Sequence, residues 1–425
     1  MIKIMKLGEV AKSEILARGT AARDVSATVA AIIAEVKANG DAAVLQYNEK
    51  FDGAKLTSLA VTREEIAAAR AAVSAEFLAV LEQAAANIRK FHEKQKRNGF
   101  IINDERGIVT GQKVIPLDKV GLYVPGGTAA YPSTVLMDAI PAKIAGCGEV
   151  VMVTPPGKDG AVNPAILAAA SVAGVDRIFK VGGAQAVAAL AYGTESIPQV
   201  DKIVGPGNAY VAEAKKQVFG QVSIDMIAGP SEILIVADGN TNPVYAAADL
   251  LSQAEHDKMA SAVLVTDSMS LAQQVSAELE KQIPQLLRHE IARESIDNNG
   301  KIIVTDSIQQ AVEVSNELAP EHLELCLDDP FAVLDLVRHA GSVFMGRYCP
   351  EALGDYFAGP NHTLPTGGTA RFSNPLSVDD FVKKTQYTYY TKDALANVAD
   401  QIALFATQEG LTGHAKSVTV RRDNL

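Results

Sequence analysis

At 425 residues the chain is longer than one hydrophobic core comfortably serves, so two large domains with smaller appendages are expected. Apolar residues make up 48% and aromatics 5%, with no Trp, and this Ala- and Val-rich mixture favours packed α/β layers over an aromatic-rich β-sandwich. A formal charge of -11 argues against a nucleic-acid partner, which needs a concentrated basic surface. No run approaches the roughly 20 apolar residues that span a bilayer, and the opening MIKIMKLGEVAKSE lacks the apolar core of an export signal. Cys147, Cys326 and Cys349 are too few and too irregularly spaced for a disulfide framework or a zinc ribbon, which fits a reducing cytoplasm.

In chain order, Asp24 can cap a helix whose apolar residues Val25, Val29, Ile32, Ile33 and Val36 recur at helical spacing until Gly40. A second helix is expected over 41–51. Thr62 with Glu65 has a capping-box pattern, and from Ser74 a long helix runs through Phe77, Leu81 and Ile88 toward Arg97. His92, set among Lys90, Glu93, Lys94 and Lys96, reads as part of a solvated helix face. From about 108 the texture changes to β-branched runs alternating with helical segments. Strands are expected at 120–124, 150–154, 177–181 and 202–204, with helices near 134–145, 163–173, 184–192 and 209–218. A second alternating unit follows in ILIVAD, AVLVTD, KIIVTD, LELCL and SVFMG, with helices over 244–253 and 270–283. The last fifty residues, including FVKKTQYTYYT and ANVADQIALFATQEG, cannot bury much of themselves. They suit an arm that packs on another subunit or covers the second α/β unit.

Three strands of the first unit run into glycine-rich turns, VPGGTAAYP, VGGAQA and VGPGNAY. Open α/β sheets bind ligands at strand carboxyl ends, where glycine lets backbone N–H groups approach a phosphate. None has the GxGxxG form, and any α/β protein needs tight turns there; three together point to a nucleotide or phosphate ligand. Four histidines stand in unusual company. LLSQAEHD places Gln253 and His256 three apart near a helix end, on one face, where they are half of a metal site or a polar surface patch. In NELAPEHLEL, Glu321 and His322 follow Pro320 at an element boundary, as an acid/base pair or a solvent-facing turn. His362 sits in GDYFAGPNHTLPTGG with Asp355 seven residues earlier, and His414 in EGLTGHAKS with Glu409 five earlier. Asp355 and His414 are candidates to complete an N/O ligand set suited to zinc, although spacing alone does not pair them.

LLSQAEHD, NELAPEHLEL, GDYFAGPNHTLPTGGTAR and EGLTGHAKSVTVR, with GLYVPGGTAAYPSTVLM, the VGGAQA-to-VGPGNAYV stretch and IDMIAGPSEILIVAD in order between them, together resemble the histidinol dehydrogenases over nearly the whole chain. The resemblance implies NAD-dependent oxidation of L-histidinol through L-histidinaldehyde to L-histidine in cytoplasmic histidine biosynthesis. It implies one zinc per subunit on Gln253, His256, Asp355 and His414, orienting the substrate's nitrogens. Glu321 and His322 become the catalytic pair, His322 taking the alcohol proton and Glu321 activating water. Ser231, His362 and Glu409 match substrate contacts, as do His322 and the zinc ligands; Tyr123, Gln185 and Asn208 match NAD contacts. The implied fold is α/β, with two incomplete Rossmann-like domains, a helical N-terminal segment and a small C-terminal arm. Its divisions are an arm at 1–20, a first domain of 21–122 plus 232–375 carrying the zinc and acid/base residues, a second of 123–231 carrying the NAD loops, and a C-terminal dimer arm at 376–425. The resemblance further implies an intertwined homodimer in which His414 and Glu409 reach the partner's site.

Two other chemistries compete. An aldehyde dehydrogenase mechanism would use Cys147 or Cys326 as nucleophile, but neither has a basic activator nearby in sequence, and buried inert thiols explain both better. A zinc hydrolase would activate water at the metal and ignore NAD, and a metabolite-binding protein would have no use for Glu321 and His322 beside the ligand.

Overall fold

The β-branched runs form strands and the runs of 3.6-residue period form helices in a computed structural model of the chain, which describes residues 1–18, 24–103, 105, 107–126 and 130–424. The junction expected near residue 20 and the middle of the VPGGTAAYP loop lie outside the described residues. The strands are β1 (Lys3–Lys6), β2 (Phe100–Ile102), β3 (Ile108–Pro116), β4 (Lys119–Tyr123), β5 (Glu149–Thr154), β6 (Arg177–Lys180) and β7 (Lys202–Val204). They continue with β8 (Ser223–Ile224), β9 (Glu232–Ala237), β10 (Ser261–Thr266), β11 (Lys301–Val304), β12 (His322–Cys326), β13 (Ser342–Met345) and β14 (Val382–Tyr390).

Two compact units emerge, Met1–Gln95 with Leu117–Phe381, and Lys96–Pro116 with Val382–Leu425. The first contains two all-parallel sheets, ordered β6-β5-β4-β7-β8 and β1-β11-β10-β9-β12-β13. Apart from β1 at one edge, both have the same winding: the first strand is central, the next two extend to one side and the last two to the other. This is the doubly-wound order, with a switch point beside β4 in one sheet and beside β9 in the other. Both faces of each sheet are covered, which is why these strands read as continuous Val, Ile and Leu runs without alternation.

The helical N-terminal segment forms as read, with one difference at Gly40 and one at His92. The helix Ser26–Tyr47 runs through Gly40 with a kink, because that glycine takes φ 52 and ψ -133, which no other residue adopts easily. Thr62 and Glu65 make both bonds of the capping box. In the helix Ala75–His92, His92 is fully buried, contrary to the solvated face expected for it. Spacing explains this: Leu81, Ala85, Ile88 and His92 form the inward stripe, while the flanking lysines point elsewhere. Its Nδ1 lies 2.7 Å from Gln95 Oε1, and burial holds the imidazole below its ordinary value. Truncating Ile88 to Ala in that stripe would cost about 2–5 kcal/mol.

Helical periodicity reveals an apolar face but not which sheet covers it, and the partition expected for 21–122 needs correction on this point. The helices Ser26–Tyr47, Arg63–Ala72 and Ala75–His92 pack on the five-stranded sheet, to which β4 also belongs. The N-terminal arm contributes β1 to the six-stranded sheet.

In the second unit, β14 pairs antiparallel with β3 along nine residues and β2 flanks β3. The helices Lys392–Gln408 and Thr412–Asp423 follow. Residues 96–116 thus join the C-terminal segment that sequence alone began at 376. No helix among the described residues is long and apolar enough to cross a membrane.

Candidate active site

The helix Ile308–Leu318 delivers the chain to β12 through Ala319, the one non-glycine residue with positive φ among those described, at 46°. Such left-handed backbone costs about 1–2 kcal/mol and tends to collect at functional sites. Pro320 and Glu321 follow, and His322 opens β12 beside β9, with His322 in register with Ile233. His322 is buried, and its Nδ1 donates to the carbonyl of Glu232 at 2.9 Å. A carbonyl only accepts, so Nδ1 carries the proton and the lone pair lies on Nε2. That atom finds no hydrogen-bond partner among the described residues and lies 3.9 Å from both Glu351 Oε1 and Asp355 Oδ1. Burial keeps the imidazole below its ordinary value, hence neutral. The backbone N–H of Glu232 donates to Glu321 Oε2 at 2.9 Å. Burial, reinforced by Glu232, Asp355 and Glu351, holds the Glu321 carboxyl well above the usual carboxylate range.

Gln253 is the penultimate residue of the helix Pro243–Ala254, and His256 lies just beyond it in a turn closed by its own N–H to the Gln253 carbonyl, 3.1 Å. Gln253 is buried with both amide atoms unpartnered among the described residues. Burial lowers His256, against the opposing pull of Glu351 and Glu255. Glu351 and Asp355 are four apart on the short helix Glu351–Tyr356, so they share a face. Glu351 N–H donates to the buried Glu324 at 2.7 Å, and Glu351 Oε2 lies 3.1 Å from the Ser252 hydroxyl. One atom each of His322, Glu351 and Asp355 falls within 4.8 Å of the others. Buried beside Glu351, Asp355 holds its proton well above the usual range. Carboxyls this close and this buried call for a cation or a shared proton. His362 donates from Nδ1 to the Asp355 carbonyl at 3.1 Å, and burial pushes its imidazole down to about 4. A cavity of about 110 Å³ is lined by His322, Phe344, Asp355, Asn361, His362 and Leu364.

Unpartnered buried amide and carboxylate atoms and a free imidazole nitrogen form an N/O donor set that fits a divalent ion such as zinc. Of the four ligands suggested by sequence, Gln253, His256 and Asp355 belong to the first unit. His414 and the substrate candidate Glu409 belong to the second, where both are exposed. Ser231 immediately precedes Glu232, and its carbonyl accepts from Ser261 N–H at 2.9 Å. Glu351 and Glu232 were not singled out from sequence. The i, i+4 spacing of Glu351 and Asp355 was a signal for the first; the second acts through its backbone, which no side-chain pattern reveals.

At the five-stranded sheet, the glycine-rich turns lie at carboxyl ends, as the rule for open sheets requires. Tyr123 ends β4 and is buried; its hydroxyl accepts from Gly183 N–H at 3.0 Å, and burial pushes the phenol up to about 12. Gln185 is buried in the helix Gly183–Tyr192. Asn208 caps the helix Ala209–Val218, accepting from Tyr210 and Val211 N–H at 3.0 and 3.2 Å. Gly205 takes φ 113, and a Cβ there would sit 2.2 Å from the Tyr123 carbonyl oxygen, so only glycine fits. The six-stranded sheet is used the other way round. His322 and Glu232 open their strands, so the candidate residues of this sheet lie at its amino ends. The carboxyl-end crevice is bolted by Arg347, which meets Asp238 at 2.8 Å and Asp328 at 3.0 Å. A wider surface hollow, about 730 Å³, at Asp118, Asp201 and Phe219 contains none of the candidate residues.

A buried imidazole with one tautomer, beside a carboxyl held well above the usual carboxylate range by burial, suits proton-transfer catalysis, and the fold presenting it is an α/β fold of two Rossmann-like halves. Residues 17–422 match the family model for histidinol dehydrogenase, and the chain belongs to that family of oxidoreductases. It is 57% identical over 398 residues to histidinol dehydrogenase from Clostridium acetobutylicum, covering 94% of this chain and 92% of the relative. Identity is 58% over 390 residues to that of Geobacillus kaustophilus, covering 92% of each. A crystal structure of histidinol dehydrogenase from Elizabethkingia anophelis superposes with a TM-score of 0.94 at 41% identity, covering 100% of this chain and 98% of that one.

Proposed function

We propose that the protein oxidises L-histidinol through L-histidinaldehyde to L-histidine, the last steps of histidine biosynthesis, using NAD and one zinc per subunit. The observation that carries this reading is the fixed neutral tautomer of His322 beside Glu321. Zinc on Gln253, His256, Asp355 and His414 would orient the nitrogen-rich substrate, and NAD at Tyr123, Gln185 and Asn208 would take up two electrons in each step. His322 Nε2 receives the alcohol proton, which its Nδ1 bond to Glu232 leaves it free to do. Glu321, whose carboxyl burial makes a stronger base than an ordinary carboxylate, removes a proton from the water that adds to the aldehyde carbon. Ser231, His362 and Glu409 contact the substrate, and burial of His362 keeps its imidazole uncharged.

His414 and Glu409 are supplied by the partner in an intertwined homodimer. In support, the second unit exposes Phe100, Ile101, Leu404 and Phe405, an apolar surface suited to cover by another chain. The three free cysteines suit a cytoplasmic enzyme. The deciding assay incubates the zinc-loaded protein with histidinol and NAD and follows NADH. Two NADH per histidine formed is the expected stoichiometry; folded, zinc-loaded protein that makes no NADH would refute the reading.

A further inference from the structure

Arg18 belongs to no motif, yet its guanidinium forks between the Glu232 carboxylate and the carbonyl of Leu318. These two anchors flank the proton-handling pair. Glu232 opens β9 and holds Glu321 through its N–H and His322 through its carbonyl. Leu318 ends the helix from which the chain turns through Ala319 and Pro320 into Glu321. Arg18 is itself delivered from a fixed base: Lys301, buried in β11, donates to the carbonyls of Glu14, Ile15 and Ala17 and so holds the preceding short helix on the six-stranded sheet. A third side is closed by Gly368, where an added Cβ would sit 3.2 Å from Arg18 Nη2.

We infer that Arg18 is a positioning residue for Glu321 and His322, acting through Glu232; this rests on the reading that those two handle the protons of the reaction. Without the guanidinium, the Glu232 carboxylate is left largely buried and uncompensated, with Glu321 beside it. The Leu318 carbonyl loses its donor at the same time. Relief of either displaces the backbone groups that fix the His322 tautomer and the Glu321 carboxyl. Lysine cannot substitute fully, because one ammonium does not fork to a carboxylate and a carbonyl as a guanidinium does.

The test compares Arg18→Met and Arg18→Lys, each alone and combined with Glu232→Gln, in the zinc-loaded dehydrogenase. Two quantities are read: kcat for histidinol, and the ¹⁵N shifts of His322, assigned by their loss in His322→Asn. Arg18→Met should lower kcat by about tenfold or more while the KM for NAD stays within about twofold, and should turn a single Nδ1-protonated imidazole into a tautomer mixture. Arg18→Lys should recover part of both. In the Glu232→Gln background the Arg18 substitutions should cost less than about threefold further, because the path is already cut. Wild-type kcat and wild-type ¹⁵N shifts in folded Arg18→Met would overturn the inference, as would an equal loss in both backgrounds. Should the wild-type protein produce no NADH from histidinol, the proposed function fails, and the ¹⁵N shifts still decide whether Arg18 sets the imidazole.

Discussion

His322 Nδ1 donates to the backbone carbonyl of Glu232 at 2.9 Å, and this bond decides which ring nitrogen can accept a proton. Replacing His322 by Asn separates the two roles of the ring. The Asn amide can donate where Nδ1 did, but nothing stands where Nε2 was. His322→Asn should therefore keep its melting temperature within a few degrees of wild type while kcat falls about 10²–10⁴-fold, the usual worth of a positioned general base. A folded variant retaining more than a tenth of wild-type kcat would show that the proton leaves by another route.

Glu321→Gln tests the second proton step. The Gln carbonyl can still accept from Glu232 N–H, which Glu321 Oε2 does at 2.9 Å, so the local structure should hold. The variant cannot take a proton from water. Oxidation of histidinaldehyde should slow by about 10²-fold or more, while the first turnover from histidinol to aldehyde slows by much less. Rapid-quench measurement of the two half-reactions separates them; equal losses would contradict the division of labour.

How much of this was legible in the sequence depends on what carried the signal. Strands with both faces buried announced themselves as apolar runs, and the Thr62–Glu65 capping box formed as read. The burial of His92 is masked in the sequence by its lysine neighbours, which obscure the inward stripe of Leu81, Ala85 and Ile88 to which it belongs. The destination of the N-terminal helices was not legible, since an apolar helix face fits either sheet. Motifs marked His322 and Glu321, but not Glu232, which holds them by backbone atoms common to every residue. Rossmann-type reasoning located the loops of the five-stranded sheet. It would have sent the chemistry of the other sheet to the carboxyl end that Arg347 fills.

Removal of metal should be visible in stability as well as activity. Glu351 and Gln253 are buried with unpartnered side-chain atoms, and Asp355 lies half-buried beside Glu351, so a bound cation relieves their desolvation only in the folded state. Zinc at about a hundred times its Kd should raise unfolding free energy by about 2.7 kcal/mol. Glu351→Gln should weaken zinc binding by about 10–100-fold, whether Glu351 touches the ion or only orients Asp355. Calorimetric melting with and without chelator gives the first number and competition titration the second. Unchanged melting on chelation would remove the metal from this site.

A thiol mechanism predicts loss of aldehyde oxidation when the cysteines go. Burial, the largest influence on both thiols, pushes Cys147 up to about 11 and Cys326 higher still, the reverse of what a nucleophile needs. The Cys147→Ala, Cys326→Ala double variant should be less stable, because both sites are packed, yet it should make two NADH per histidinol at wild-type kcat per folded molecule. Accumulation of histidinaldehyde in that variant would restore the thiol route.

Asp138 should give the fold a measurable pH slope above neutrality. It is buried in the helix Pro132–Ala145, accepts from the Thr363 hydroxyl at 2.9 Å, and is pushed up to about 8, chiefly by burial and then by Asp225. Its folded value therefore lies above its ordinary 3.8, so the folded state keeps a proton that the unfolded chain has lost. Stability from this group is fully present below that ordinary value and declines as pH rises toward 8. His362, pushed down to about 4 from 6.5, has the opposite effect, but only below 6.5, since above that it is neutral in both states. Between pH 6.5 and 8 the two do not overlap, and a single retained proton costs about 1.4 kcal/mol per pH interval of one. Wild type should thus lose about 2 kcal/mol across that window relative to Asp138→Asn, which keeps an acceptor for Thr363 and has no proton to lose. Urea unfolding of both proteins at pH 6.5, 7.2 and 8 measures the difference, and parallel stability curves would mean that Asp138 is already ionised in the folded protein.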